Sequence, residues 1–238
     1  MNNLRVNFAA MVVDVIIPAF NEEQSIGLVV RDIRLEKVRH VVVVNNNSTD
    51  KTREIAELAG AIVIDENMQG YGAACLKGIA HINSLTDPPD IVLFMDADHS
   101  DHANEIPSVL KPIQNGKADL VIGSRALGQK EKGSMTGPQI FGNWLATTLM
   151  RWIYGHRFTD LGPFRAILRK ELNSLGMRDT NYGWTVEMQI KALKKKLRCT
   201  EVPVSYRQRI GVSKVSGTVK GTILAGYKIL TTIFKYSF

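Results

Sequence analysis

Over its first 125 residues the chain alternates short Val- and Ile-rich runs with amphipathic stretches. Val12 to Pro18, Val41 to Val44, Ala61 to Ile64, Ile91 to Met95 and Leu120 to Ile122 are too short for helices, and their composition predicts buried strands. Between them, Ile26, Val29, Val30 and Ile33 follow helical spacing, with Asn21 as the predicted N-cap and Gln24 in capping-box position. Ser48 or Thr49 is predicted to cap the next helix, with Ile55, Leu58 and Ala59 on its apolar face. This alternation specifies an α/β fold, a mostly parallel sheet flanked by helices, with ligands at the carboxyl ends of the strands.

The 238 residues suffice for one sizeable α/β core with a tail, and no internal repeat or low-complexity segment interrupts it. We expect a flexible N-terminus over 1–11, a main domain over 12–217 and a C-terminal helix over 218–238. Cys75 and Cys199 lie far apart outside any CxxC context and read as reduced thiols, which fits the cytosol. Residues 1–10 do not resemble a signal peptide, and no window of about 18 apolar residues is present to span a bilayer. The charge is +7, from 30 basic against 23 acidic residues, but the aromatic-and-basic interleaving of an RNA-binding sheet and the spacing of zinc fingers are absent. Nucleic acid is therefore not an expected partner.

Four motifs fall at predicted strand ends. Asp96-Ala97-Asp98 places two carboxylates one residue apart after an apolar run, hard oxygens suited to Mg²⁺ or Mn²⁺ holding a diphosphate. Pro18-Ala19-Phe20-Asn21-Glu22-Glu23 leaves the first strand, and Asn45-Asn46-Asn47-Ser48-Thr49-Asp50 leaves the second. Asn67-Met68-Gln69-Gly70-Tyr71-Gly72-Ala73-Ala74 offers glycines that let backbone approach a ligand before a helix begins. Each alone also reads as an ordinary turn or cap.

Together with Gly123-Ser124-Arg125, these motifs resemble, in order and spacing, those of family-2 glycosyltransferases, most closely the dolichyl-phosphate mannosyltransferase-like branch, over residues 12–217. The resemblance implies a GT-A (Rossmann-like) fold, a nucleotide-diphosphate sugar donor and inversion at the anomeric carbon. By position, Pro18, Ala19, Phe20 and Glu22 would line the nucleoside pocket, with Asn46 near the base and Gly70 close to the donor. Asp96 and Asp98 would hold the metal, Asp98 most directly. The place of a further polar ligand falls at Ser100, with His99 and Asp101 beside it. Arg125, Arg209 and Lys214 would neutralise the diphosphate as the glycosidic bond breaks. Asn45-Asn46 stands where the family commonly has Asp-Asp, which leans towards a uridine donor because an amide both donates and accepts.

The second half is expected to choose the acceptor. Asp160-Leu161-Gly162-Pro163-Phe164-Arg165 resembles the family's Asp-x-x-x-Gly-Phe-Arg region with altered spacing, and Arg165 would hold an acceptor phosphate. Glu187 matches an acidic position near the reaction centre. Trp184, in the substrate-binding stretch, also lies at helical spacing with Met188 and Ala192, as a core face would. A polyprenyl phosphate acceptor would need no strong base, whereas a sugar or lipid hydroxyl would call on Glu187 or Asp98.

From Val219 to Phe238, Lys220, Lys228 and Lys235 fall within about an 80° arc opposite Ile223, Ala225, Ile229, Leu230, Ile233 and Phe234. Such a helix suits an anionic membrane surface on the cytoplasmic side, or equally a helix packed on its own core. A sugar nucleotidyltransferase is disfavoured because Pro18-Ala19-Phe20-Asn21 lacks a Gly-rich, basic phosphate loop. A non-catalytic sugar-nucleotide module would be expected to lose Asp96, Asp98 or Glu187, all of which are present.

Overall fold

The computed structural model describes residues 11–33, 37–211 and 219–236. Its centre is a seven-stranded sheet, β1 (Val13–Ala19), β2 (His40–Asn45), β3 (Ile62–Asp65), β4 (Ile91–Phe94), β5 (Leu120–Ser124), β6 (Arg165–Leu168) and β7 (Cys199–Pro203), in spatial order 3-2-1-4-6-5-7. All neighbours pair in parallel except β6, which runs antiparallel to β4 and β5. The five strands expected from composition are present within a residue or two of their predicted bounds.

Helices α1 (Ile26–Asp32), α2 (Thr52–Leu58) and α4 (Ile106–Gln114) belong to one face. The other carries α3 (Tyr71–Ser84), α5 (Gly137–Tyr154), α6 (Arg169–Leu175), α7 (Trp184–Lys194) and α8 (Val219–Lys235). Because both faces are covered, β1 is buried throughout, with Val15 and Ile17 in one core and Ile16 in the other. Asp14, the polar interruption in that strand, is neutralised by Arg39 at 2.7 and 3.0 Å. Ile26, Val29, Val30 and Ile33 are all buried as their spacing requires.

Several local expectations are corrected. Ser25, not Asn21, precedes α1, and it makes no side-chain cap. Asn21 instead adopts a left-handed φ of 53°, and its side chain accepts from the Thr49 amide. Ser48 accepts from the Asn21 amide in return, so the predicted capping residues clasp two loops together. On α2 the buried positions are Thr52 and Ala56, while Leu58 is exposed. Trp184, Met188 and Ala192 are the core face of α7. The helix α8 packs on α5 and α7, burying Thr232 and Ile233, one of the two arrangements its sequence pattern allowed, and Lys228 faces Asp179 at 2.9 Å. Lys214 lies outside the described residues, as do residues 1–10 of the expected flexible N-terminus.

Candidate active site

The chain leaves β4 directly into three carboxylates. Asp98 is buried and accepts the Ser100 amide at 2.9 Å together with the Ser100 hydroxyl. Asp101 is buried, with one oxygen accepting the Asp96 amide at 3.2 Å and the other, among the described residues, without a partner. Burial, then the charges of Asp98 and Asp101, push the Asp96 carboxyl well up, and burial with Asp98 pushes Asp101 up to about 7. His99 turns away at a φ of 64°, its Nε2 2.8 Å from Asp32. Of the three side chains considered for a further ligand, Asp101 alone presents an unused oxygen here.

Among the described residues no three acidic, His or Cys side chains form a ready-made metal cage. Mg²⁺ and Mn²⁺ at phosphate sites are commonly held by one or two carboxylates, with phosphate and water oxygens completing the shell. Clustered carboxylates that repel one another and a buried oxygen without a donor fit such an ion. Asp96 and Asp98, with Asp101 beside them, are the residues that would hold it.

A cavity of about 400 Å³ opens over these groups at the carboxyl edge of the sheet. Pro18, Ala19, Phe20, Glu22, Asn46, Gly70, Asp96, Asp98 and Arg209 all line it, so the structure brings together nine positions that the sequence motifs singled out. Two loops form one side: the Glu22 amide donates to Thr52 Oγ1 at 2.7 Å, and the Lys51 amide to Glu23 at 3.1 Å. Arg209 spans the opening, with Nη2 2.9 Å from Glu22 and Nη1 3.1 Å from Asp98. Gln69, Tyr71, Ala74, Ala97, Asn181 and Tyr182 complete the lining. Asn181 and Tyr182 were not among the residues expected at the site. Their signal was the Asn-Tyr-Gly turn before α7, which packs against the Gly70 turn.

The Asn45-Asn46 pair works differently from expectation. Asn45 donates to Asp65 at 2.9 Å, on the β3 side. Asn46 donates to the carbonyls of Glu66 and Met68 and accepts the Gly70 amide at 2.8 Å. Both amide donors of Asn46 are thus committed to the Gly70 loop, which removes the argument that these amides favour uridine.

Arg125 follows β5 and forms a two-pronged pair with Asp160, Nε–Oδ2 2.8 Å and Nη2–Oδ1 2.7 Å, while Asp160 also accepts the Arg125 amide at 2.8 Å. Burial alone would push Asp160 up, but the guanidinium holds it below the ordinary carboxylate range. The Arg125 charge also acts on Asp96 and Asp101. Asp160 lines a second cavity, of about 350 Å³, with Lys130, Arg151 and Arg157 among apolar side chains that include Ile140, Trp144 and Phe158. None of these three cations was singled out from the sequence, because a single exposed basic residue carries no motif.

Arg125 itself lines neither cavity, reaching the second only through its partner Asp160. Three further expected site residues stand elsewhere. Arg165 is fully buried, and its guanidinium donates to the carbonyls of Leu161, Gly162 and Thr185. Burial pulls it down to about 10, so it remains charged, but it is enclosed by backbone and lines neither cavity. Trp184 is a core side chain edge-on to Phe94 and Tyr71. Glu187 is buried and lines neither cavity.

A parallel sheet with one reversed strand, a cavity at its carboxyl edge and an Asp-x-Asp floor define a GT-A glycosyltransferase. Residues 14–176 match the family described as Glycosyl transferase family 2, and the chain belongs to it. An uncharacterised glycosyltransferase of Mycobacterium bovis is 35% identical over 221 residues, 90% of this chain and 94% of that protein. The dolichyl-phosphate hexose transferase of Haloferax volcanii is 31% identical, over 88% of this chain and 89% of its own. Undecaprenyl-phosphate mannosyltransferase of Micrococcus luteus is 29% identical, over 87% and 88%. Among solved structures, glucosyl-3-phosphoglycerate synthase of Mycobacterium tuberculosis, in complex with Mn²⁺, uridine diphosphate and phosphoglyceric acid, superposes with a TM-score of 0.78. It covers 96% of this chain and 79% of its own at 21% identity, a likeness of fold.

Proposed function

We propose that the chain is an inverting, metal-dependent hexosyltransferase that moves a hexose from a nucleotide-diphosphate sugar to a polyprenyl phosphate. The observation that carries this reading is a pair of cavities, one lined by Asp96, Asp98 and Arg209 and the other by Asp160, the partner of Arg125. One has the carboxylate floor suited to a metal-bound diphosphate, and the other sets cations among apolar side chains. The names of the Haloferax and Micrococcus relatives support the acceptor class.

A bound divalent ion would act as a Lewis acid on the departing diphosphate. Asp96 and Asp98 would hold it, and Arg209, already between Glu22 and Asp98, would add positive charge at the same end. Arg125, fixed by Asp160, would sit between leaving group and acceptor. The acceptor would attack from the second cavity, on the side of the sugar away from the diphosphate, which inverts the anomeric centre. A phosphate oxygen is already ionised near neutral pH, so no side chain need take a proton, in keeping with Glu187 lying away from both cavities.

The acceptor chain would reach the protein along α5. Ile140, Phe141, Trp144, Arg151 and Trp152 fall within about 120° of its circumference at about 100° per residue. All five are exposed, Trp144 at 58% and Trp152 at 77%. Ile223, Tyr227 and Phe234 on α8 are exposed as well. Aromatic side chains with an embedded arginine suit the headgroup level of an anionic bilayer, and peripheral attachment through α5 and α8 follows. Among the described residues no helix is long and apolar enough to cross a membrane.

The test is transfer of labelled hexose from UDP- and GDP-sugars to a polyprenyl phosphate in detergent, with Mn²⁺, Mg²⁺ or chelator. Metal-dependent appearance of lipid-linked sugar is expected. Transfer only to water-soluble phosphorylated acceptors would replace the lipid reading.

A further inference from the structure

The outer wall of the first cavity is neither strand nor helix but the segment 178–183 between α6 and α7, which contributes Asn181 and Tyr182. On its inner side it leans on the start of α3. The Ala73 amide donates to the Thr180 carbonyl at 2.9 Å, and a side chain at Gly70 or Gly72 would meet the carbonyls of Thr180 and Asp179 at 2.2 and 2.1 Å. Backbone contact this close requires glycine on the α3 side.

On its outer side the segment is held by α7 and α8. The Glu187 carboxylate accepts from the amides of Arg178 at 3.1 Å and Asp179 at 2.7 Å, from Lys191 at 2.6 Å and from the Tyr236 hydroxyl at 2.7 Å. Asp179 accepts the amides of Asn181 at 2.8 Å and Gly183 at 3.2 Å, and pairs with Lys228 of α8 at 2.9 Å. Gly183 itself lies against α8, since a Cβ there would be 2.5 Å from Thr232 Oγ1. Four donors fill the lone-pair sites of one carboxylate, so Glu187 has no free position for an incoming proton donor.

We propose that Glu187 is a positioning residue rather than a general base, and that, through Tyr236 and Lys228, the seating of α8 sets the Asn181–Tyr182 wall and with it the affinity for the sugar nucleotide. This rests on the reading of that cavity as the donor site. The wall is neither strand nor helix, and among the described residues its outer-side anchors come from α7, α8 and Tyr236 just beyond α8. Loss of one anchor would let Asn181 and Tyr182 move without disturbing the Asp96–Asp98 floor, which directly follows β4.

The test compares wild type with Tyr236→Phe, Lys228→Met and Glu187→Gln. Binding of UDP and GDP with Mn²⁺ is measured by calorimetry, amide exchange is followed over residues 178–183, and sugar-nucleotide hydrolysis by water supplies kcat and KM without an identified acceptor. Tyr236→Phe and Lys228→Met should each weaken nucleotide binding and raise KM by about tenfold, the loss expected when one charge-assisted hydrogen bond holding a binding wall is removed. Exchange at Asp179, Asn181 and Gly183 should quicken, with kcat within about twofold of wild type, because the groups around the reacting bond are untouched. Unchanged KM and exchange in both α8 variants would overturn the proposal. So would a collapse of kcat at constant KM in Glu187→Gln, which would make Glu187 catalytic. Should wild type bind neither nucleotide while segment exchange still depends on Tyr236, the donor reading itself fails and the proposal falls with it.

Discussion

Arg125 and Asp160 meet edge to edge, Nη2 2.7 Å from Oδ1 and Nε 2.8 Å from Oδ2, with Asp160 almost wholly buried. The geometry fixes the plane of the guanidinium, and Tyr206 lies beneath it with its ring centre 5.0 Å from the Arg125 Cζ. Arginine held in this way presents its remaining edge without reorganisation, which is what a developing phosphate charge requires.

Asp160→Asn keeps the size of the side chain and removes its charge. Arg125 then loses its bidentate partner, and turnover should fall by about 100-fold, comparable to losing one preorganised donor at a charged transition state. Initial rates at saturating donor check this; activity within twofold of wild type would show that the pair is structural only.

Asp98→Ala should abolish metal-dependent stabilisation by nucleoside diphosphates. Arg209 keeps its contact to Glu22 in that variant, so the fold should persist. Thermal melts with UDP or GDP, each with and without Mn²⁺, give the readout, and a Mn²⁺-dependent shift equal to that of wild type would remove Asp98 from the metal site.

Stability should depend on pH in two opposed limbs. Asp101, raised to about 7 in the fold, binds a proton more tightly there than in the unfolded chain. Its contribution is full below the unfolded value and is lost as pH rises through about 7. Asp160, held below the ordinary range, contributes above its unfolded value and loses that contribution on further acidification through its folded value. Metal-free protein should therefore melt at a higher temperature near pH 6 than near pH 8, and acid should then destabilise it. Saturating Mn²⁺ should flatten the upper limb by replacing the proton. A melting temperature that rises from pH 6 to 8 without metal would contradict this account.

Arg165→Met should lower stability by about 3 kcal/mol, because three buried carbonyl groups lose their donor, and lower Tm by about 6–12 °C for a chain of this size. The acceptor KM of the folded fraction should not change. A variant with wild-type Tm and a raised acceptor KM would restore Arg165 to the acceptor site.

Trp144→Ser combined with Trp152→Ser should cut binding to anionic liposomes by more than about tenfold, since two exposed aromatic side chains would no longer enter the interface. Nucleotide affinity should be unaffected. Sedimentation with vesicles decides it; a wild-type protein that ignores anionic vesicles removes the attachment.

The cavity at the carboxyl edge of β1, β2 and β4 was legible in the sequence because its information is local. β1, β2 and β4 are dominated by apolar residues, with Asp14 the interruption in β1, and each leads into a polar motif that must then lie at the same edge. The surroundings of the second cavity resisted for a physical reason. Arg165 begins a four-residue strand whose burial comes from β4 and β5 on either side, pairings at long range that no local pattern records. Its charge therefore read as a ligand when its true partners are backbone carbonyls. Asn21, Ser48 and Thr49 had cap chemistry, but the loops beside them competed for the same groups. Arg151 and Arg157 become neighbours only when α5 ends at Gly155, in a left-handed turn with φ 71°.

The reversed direction of β6 has a consequence for how such enzymes diversify. Since β5 runs out to the carboxyl edge and β6 starts back from it, residues 125–164 leave and re-enter the sheet at adjacent points, where the Gly123 amide meets the Phe164 carbonyl at 2.8 Å. That stretch carries Arg125, α5, Arg157 and Asp160, and so most of the second cavity. It behaves as a cassette with closely spaced ends, whose length and contents can be exchanged while β1, β2 and β4 keep their register. On the proposed assignment of the two cavities, such an exchange would change the acceptor while leaving the nucleotide site intact.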